Sequence, residues 1–109
     1  MSLWAEYIKE NRNDEIIETD SGFVTYRYLG NNQVYIIDIY IKADFRKTNM
    51  ASYLADQVVA YAKERGCTEL LGTVTPSANN STDSLKVLIG YGMSLKSASD
   101  NLIVFRKEI

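Results

Sequence analysis

Two hydrophobic periods alternate along the chain. Residues 33–41 (Gln-Val-Tyr-Ile-Ile-Asp-Ile-Tyr-Ile) and residues 23–29 (Phe-Val-Thr-Tyr-Arg-Tyr-Leu) are dense in β-branched and aromatic side chains, which suit a pleated, half-buried surface. Gly30-Asn31-Asn32 between them is a hairpin turn signal. Residues 15–19 predict a brief strand, closed by the turn cluster Asp20-Ser21-Gly22. From Met50 the period changes to 3.6. Met50, Leu54, Val58, Tyr61 and Ala62 form one stripe of an amphipathic helix. Thr48 or Asn49 can cap its start, and Gly66 supplies the left-handed residue expected after Arg65. Residues 69–75 return to strand character and stop at Pro76. A second helix opens at Ser81 or Thr82, shows Leu85, Leu88 and Ile89 on one face, and ends at Gly90-Tyr91-Gly92. Residues 93–97 and 101–107 close the chain as a hairpin. At the front, Leu3, Trp4, Tyr7 and Ile8 share the face of a short helix over residues 3–11 and predict core packing. The order predicts an α/β (α+β) layer fold, with a mixed, largely antiparallel sheet and a βαβ unit in its middle.

Composition narrows the chemistry. At 109 residues, 46% hydrophobic and 24% charged, residues 1–109 are expected to form one globular domain. There is no histidine, which excludes Ser-His and Cys-His nucleophilic machinery and histidine-ligated metal. The one cysteine, Cys67, forms no intrachain disulfide and no thiolate cluster, so no metal site is expected. No apolar run reaches membrane-spanning length, and the start of the chain lacks a signal peptide's pattern. A cytoplasmic protein with no membrane partner is the expectation. The net charge is −2, too mild for a nucleic-acid partner, and the eight tyrosines have no broad basic stripe beside them. Tyr26, Tyr28, Tyr35 and Tyr40 are expected to cover one face of the sheet. The charge is uneven. Residues 1–20 carry Lys9 and Arg12 against Glu6, Glu10, Asp14, Glu15, Glu18 and Asp20, whereas residues 42–51 carry Lys42, Arg46 and Lys47 against Asp44.

That basic segment carries the chemistry. In Ile39-Tyr40-Ile41-Lys42-Ala43-Asp44-Phe45-Arg46-Lys47-Thr48-Asn49-Met50-Ala51 a strand ends, a short loop follows and a helix begins. The first N–H groups of a helix have no intrahelical acceptor, and its macrodipole is positive there. A phosphate or pyrophosphate is the natural occupant, and Arg46 can grip it bidentately.

The same segment resembles the GCN5-related N-acetyltransferase (GNAT) superfamily. The family pattern runs Leu-Tyr-Val-x-Pro-x-x-Arg-x-x-Gly-x-Gly/Ala from strand through loop to helix. Arg46 and the small Ala51 are kept, while Asn49 replaces the first glycine. The family then continues helix, glycine, strand and a helix ending in a Gly-Phe or Gly-Met pair, matched here by residues 50–65, Gly66, residues 69–75 and Gly92-Met93. The likeness spans residues 22–107. It implies a sheet whose two central parallel strands, residues 33–41 and 69–75, splay apart to admit acetyl-coenzyme A as co-substrate. Backbone groups of Tyr40 and Ile41 would bind the pantetheine arm. Arg46, Lys47, Thr48, Asn49, Met50, Ala51 and Ser52 would hold the pyrophosphate, and Asn80 and Ser84 would flank the thioester.

The implied reaction is acyl transfer to the amine of a small molecule, peptide or protein. Asp38, the one acid on its strand, is the candidate base. The tyrosine that protonates the leaving thiolate in many relatives is here Leu88; Tyr91 and Tyr40 are the candidate substitutes. The chain is short for the family, with one helix where relatives have a strand and two helices. The acceptor side is therefore expected to be open or completed by a second subunit, as in a homodimer. A non-catalytic member that binds coenzyme A or a protein partner is the alternative expectation.

Overall fold

The computed structural model describes residues 2–11, 14–46, 49–77 and 81–109, apart from the side chains of Ile8, Asn11 and residues 81–84. A short helix α1 (Leu3–Asn11) precedes three antiparallel strands, β1 (Glu15–Thr19), β2 (Gly22–Leu29) and β3 (Gln33–Ile41). A 3₁₀ turn (Ala43–Phe45) leads to α2 (Met50–Glu64). Then come β4 (Glu69–Val74), α3 (Ser81–Gly90) and the hairpin β5 (Ser94–Ser99) and β6 (Leu102–Glu108). The order expected from the sequence is the order found. Among the described residues one sheet of six strands runs β1-β2-β3-β4-β6-β5, and only its central pair, β3 with β4, is parallel.

The turns follow from backbone chemistry. Asn31 and Asn32 both adopt positive φ, 64° and 61°, the conformation a tight hairpin needs and asparagine tolerates. Gly66 at φ 81° ends α2 as expected. At the end of α3 the left-handed residue is Gly92 (φ 88°), while Gly90 is still helical. Gly22 meets a steric demand: a Cβ there would lie 2.1 Å from the carbonyl oxygen of Tyr40.

The main core lies between the sheet and α2, with α3 beside it. Leu54, Ala55, Val58 and Ala62 of α2 are buried against Val24, Tyr26, Val34, Ile36 and Leu70, joined by Leu88, Met93 and Phe105. The i, i+4, i+8 spacing of Leu54, Val58 and Ala62 sets this stripe, as predicted. Tyr61 falls off it and is 48% exposed. Ile89 likewise leaves its predicted stripe, because Leu85 and Leu88 supply the contact of α3 with the core. Lys107 and Asp56 fix the end of α3. Lys107 Nζ donates to the Tyr91 carbonyl (2.9 Å), and the Tyr91 hydroxyl donates to Asp56 Oδ1 on α2 (2.6 Å).

The opposite face of the sheet is only partly covered. α1 packs there through Ala5, against Ile16 and Phe23. Its Leu3, Trp4 and Tyr7 are 83%, 43% and 47% exposed, so these three residues of the predicted apolar face are not core, and the side chain of the fourth, Ile8, lies outside the description. The four tyrosines expected on one face divide between two. Tyr26 and Tyr28 join the core beneath α2, whereas Tyr40 stacks on Phe23 on the other side. Among the described residues no helix is long and apolar enough to cross a membrane.

Candidate functional site

The central parallel pair is a fork. Gln33, Val34, Tyr35 and Ile36 pair with Glu69, Leu70, Leu71 and Gly72, and the pairing stops there. β3 runs on through residues 37–41 beside β2, and β4 continues to Val74 beside β6. The two strands therefore separate toward their carboxyl ends. In α/β sheets with parallel strands, ligands bind in crevices outside these ends.

A β-bulge lies where the strands part. Thr25 pairs with Asp38 and Tyr26 with Ile36, so Ile37 is an extra residue on β3. An extra residue bends its strand and reverses the alternation of side chains beyond it. Val34 and Ile36 face the core before the bulge, and Ile39 and Ile41 pack against it after. An uninterrupted strand would carry Asp38 on the same side as Ile36. The bulge moves it to the open face, with Tyr40 and its stacking partner Phe23 (centroids 5.7 Å apart). Asp38 is exposed there.

The closed end of the fork is held by Glu69 in the first rung. It accepts from Gln33 Nε2 (2.6 Å) and Lys96 Nζ (3.0 Å), and forms an ion pair with Arg106. These donors, Arg106 first, hold its carboxyl down to about 2 from the ordinary 4.5. Nearer the opening, the hydroxyls of Tyr35 and Thr73 hydrogen-bond across the gap (2.8 Å).

The basic loop sits beside the open end. α2 begins nine residues after β3 finishes. The first turn-to-helix bond runs from the Tyr53 N–H to the Asn49 carbonyl (2.9 Å). The amides of Ala51 and Ser52 thus lie before any helix carbonyl they could reach. Asn49 occupies the N-cap without a side-chain cap bond. Arg46 is folded back: its Nε donates to the Ile41 carbonyl (2.9 Å), and its guanidinium carbon lies 5.8 Å from the Tyr40 ring centre. One short stretch thus gathers Tyr40, Ile41, Arg46, Asn49, Met50, Ala51 and Ser52, with Asp38 two residues up the strand. Lys47, Thr48 and Asn80 lie outside the described residues. Ser84 lies within α3, its side chain outside the description.

The sequence matches the model of the acetyltransferase (GNAT) family over residues 5–87. The chain belongs to this family. No curated protein matches it closely enough to count as a relative. Solved structures share its fold. A PaiA N-acetyltransferase from Thermoplasma acidophilum, in complex with coenzyme A, is 15% identical with a TM-score of 0.77, over 98% of this chain and 69% of its own. A GNAT acetyltransferase from Elizabethkingia anophelis with acetyl-CoA bound is 16% identical with a TM-score of 0.73, over 95% and 82%. An acetyltransferase from Bacillus subtilis in complex with CoA gives 12%, 0.73, 95% and 82%.

Two candidate proton donors differ in their surroundings. Burial, with the Asp56 carboxylate second, raises the Tyr91 phenol pKa well above its ordinary range, and its hydroxyl is committed to α2. Tyr40 is 48% exposed at the edge of the fork. Leu88 is buried in the core and carries no proton to give. Its Cδ2 would lie 3.0 Å from a Cβ at position 72, so Gly72, in the last rung, admits α3 to the sheet. Cys67 is buried, and desolvation raises its thiol pKa, the opposite of nucleophilic activation. The bulge at Ile37 and the Tyr35–Thr73 bridge were not signalled by the sequence, because strand pairing across the molecule creates both.

Proposed function

We propose that this GNAT acetyltransferase binds acetyl-CoA in the fork and transfers its acetyl group to an amine. The observation that carries the reading is the end of β3–β4 pairing at Ile36 and Gly72, beside a basic loop and a helix start whose N-cap residue, Asn49, makes no side-chain cap bond. The residues present fit the co-substrate. The opened edge of β3 offers backbone donors and acceptors to the amides of a pantetheine arm. The helix start at Met50, Ala51 and Ser52, with Arg46, offers a diphosphate a positive dipole end, backbone donors and charge. Lys47, Thr48, Asn80 and Ser84 complete the proposed binding set.

The co-substrate supplies a thioester carbonyl. The amine must reach it unprotonated, although its ordinary pKa is about 10.4. Asp38, turned onto the open face by the bulge, takes a proton from the ammonium, directly or through a water. As the amine nitrogen bonds to the carbonyl carbon, the C–S bond breaks. A strand amide stabilises the charge on the carbonyl oxygen. The second amine proton ends on the departing sulfur, supplied by Tyr40 or by water, since a thiol of pKa about 8.5 needs little assistance.

Calorimetric titration with acetyl-CoA and a thiol-release assay with a panel of amines test the reading together. Micromolar binding with amine-dependent thiol release is expected. Binding without release on any amine, the protein's own lysines included, identifies a coenzyme A-binding module instead of an enzyme.

A further inference from the structure

A row of aromatic rings crosses the open face and ends at the fork. Tyr7 and Trp4 of α1 stack with centroids 6.1 Å apart. Trp4 meets Phe23 of β2 edge-on at 6.3 Å, and Phe23 stacks on Tyr40 of β3 at 5.7 Å. Trp4, Tyr7 and Tyr40 are each between 43% and 48% exposed. In soluble proteins so many exposed rings in contact usually mark a surface that binds something. Two carboxylates flank the row. Glu18 is the register partner of Phe23 on β1, and Asp38 lies two residues before Tyr40 on the same face of β3. Glu18 is exposed and accepts from Ser2 Oγ at 2.8 Å. The row already receives one cation, the Arg46 guanidinium beside Tyr40.

We propose that this row is the acceptor subsite, and that the acceptor is a primary amine carrying an aromatic body. The inference rests on the acetyl-transfer reading above. The ring of such a molecule gains offset or edge contacts with Phe23 and Tyr40. Its ammonium is drawn by the ring faces and by the two carboxylates. Asp38 then stands beside the nitrogen that must lose a proton. An aliphatic amine has the charge but not the ring, and an aromatic alcohol has the ring but not the charge. Both lack half of the complementarity.

Trp4 is the one tryptophan in the chain, so selectively excited tryptophan emission reports this surface without reference to turnover. Titration with phenethylamine is expected to change the emission saturably, with butylamine and 2-phenylethanol at least tenfold weaker. Thiol release from acetyl-CoA should show the same preference in kcat/KM. Phe23→Leu keeps the apolar volume and removes a ring. It is expected to shrink the preference for phenethylamine over butylamine at least fivefold while the melting temperature holds.

Thiol release with equal efficiency on both amines overturns the proposal and leaves acetyl transfer standing. Saturable, ring-selective binding without thiol release upholds the aromatic amine site and removes the transfer reading. A stable dimer by sedimentation, with Trp4 emission indifferent to every amine, shows the row to be a subunit interface and overturns the proposal.

Discussion

Replacing Glu69 by glutamine should weaken the closed end of the fork in a pH-dependent way. The carboxylate receives Gln33, Lys96 and Arg106 in the first rung that joins β3 to β4. Its pKa falls from the ordinary 4.5 to about 2. At ~1.4 kcal/mol per pH unit this is worth at most about 3 kcal/mol. Glu69 is 16% exposed, but Arg106 and Lys96 are 31% and 39% exposed, and solvent screening lowers the realised contribution to roughly 1–2 kcal/mol. The sign follows from the direction of the shift. A depressed carboxyl stabilises the fold fully above pH 4.5, and the contribution fades as pH falls toward 2. Urea unfolding of wild type and Glu69→Gln across this range measures the difference. The two curves should be separated by about 1–2 kcal/mol at pH 7 and should converge toward pH 2. A gap that is constant with pH, or absent at pH 7, refutes the argument that the charged cluster clamps these strands.

Three further substitutions test the proposed chemistry and the local geometry. Arg46→Glu should weaken acetyl-CoA binding at least ~10-fold, since one charge-assisted contact is worth about 1.5–3 kcal/mol; unchanged calorimetric affinity removes Arg46 from phosphate binding. Asp38→Asn should slow turnover most near neutral pH and least toward pH ~10, where the amine loses its proton unaided. An unaltered pH–rate profile would take Asp38 out of the mechanism. Gly22→Ala places a Cβ against the Tyr40 carbonyl and should lower stability by roughly 2–4 kcal/mol, with a melting temperature equal to wild type contradicting the packing described.

The open fork was expected from the family likeness, but the rung at which it opens was not legible in the sequence. Its elements were legible because each is set by local rules. The alternating run of residues 33–41 makes a strand, the stripe of Leu54, Val58 and Ala62 makes a helix, and Gly66 ends that helix by its freedom at positive φ. The Arg46 loop was legible too, since its charge and the helix start are consecutive in the chain. The division of the tyrosines was not. Tyr35 and Tyr40 are five residues apart, a spacing that puts side chains on opposite faces of a regular strand. One unpaired residue, Ile37, reverses that parity and sets Asp38 and Tyr40 on the open side. The exposure of Trp4 and Tyr7 likewise departs from the stripe they form, because among the described side chains of their helix only Ala5 is buried against the sheet.

Sequence by itself therefore determined which segments are strands and helices, where they turn, and that a basic loop meets a helix start, all consequences of spacings of a few residues. Tertiary structure alone decided where β3 and β4 part, which face carries Asp38, and which rings meet across α1, β2 and β3. Those outcomes depend on register between segments distant in the chain, which no local preference encodes.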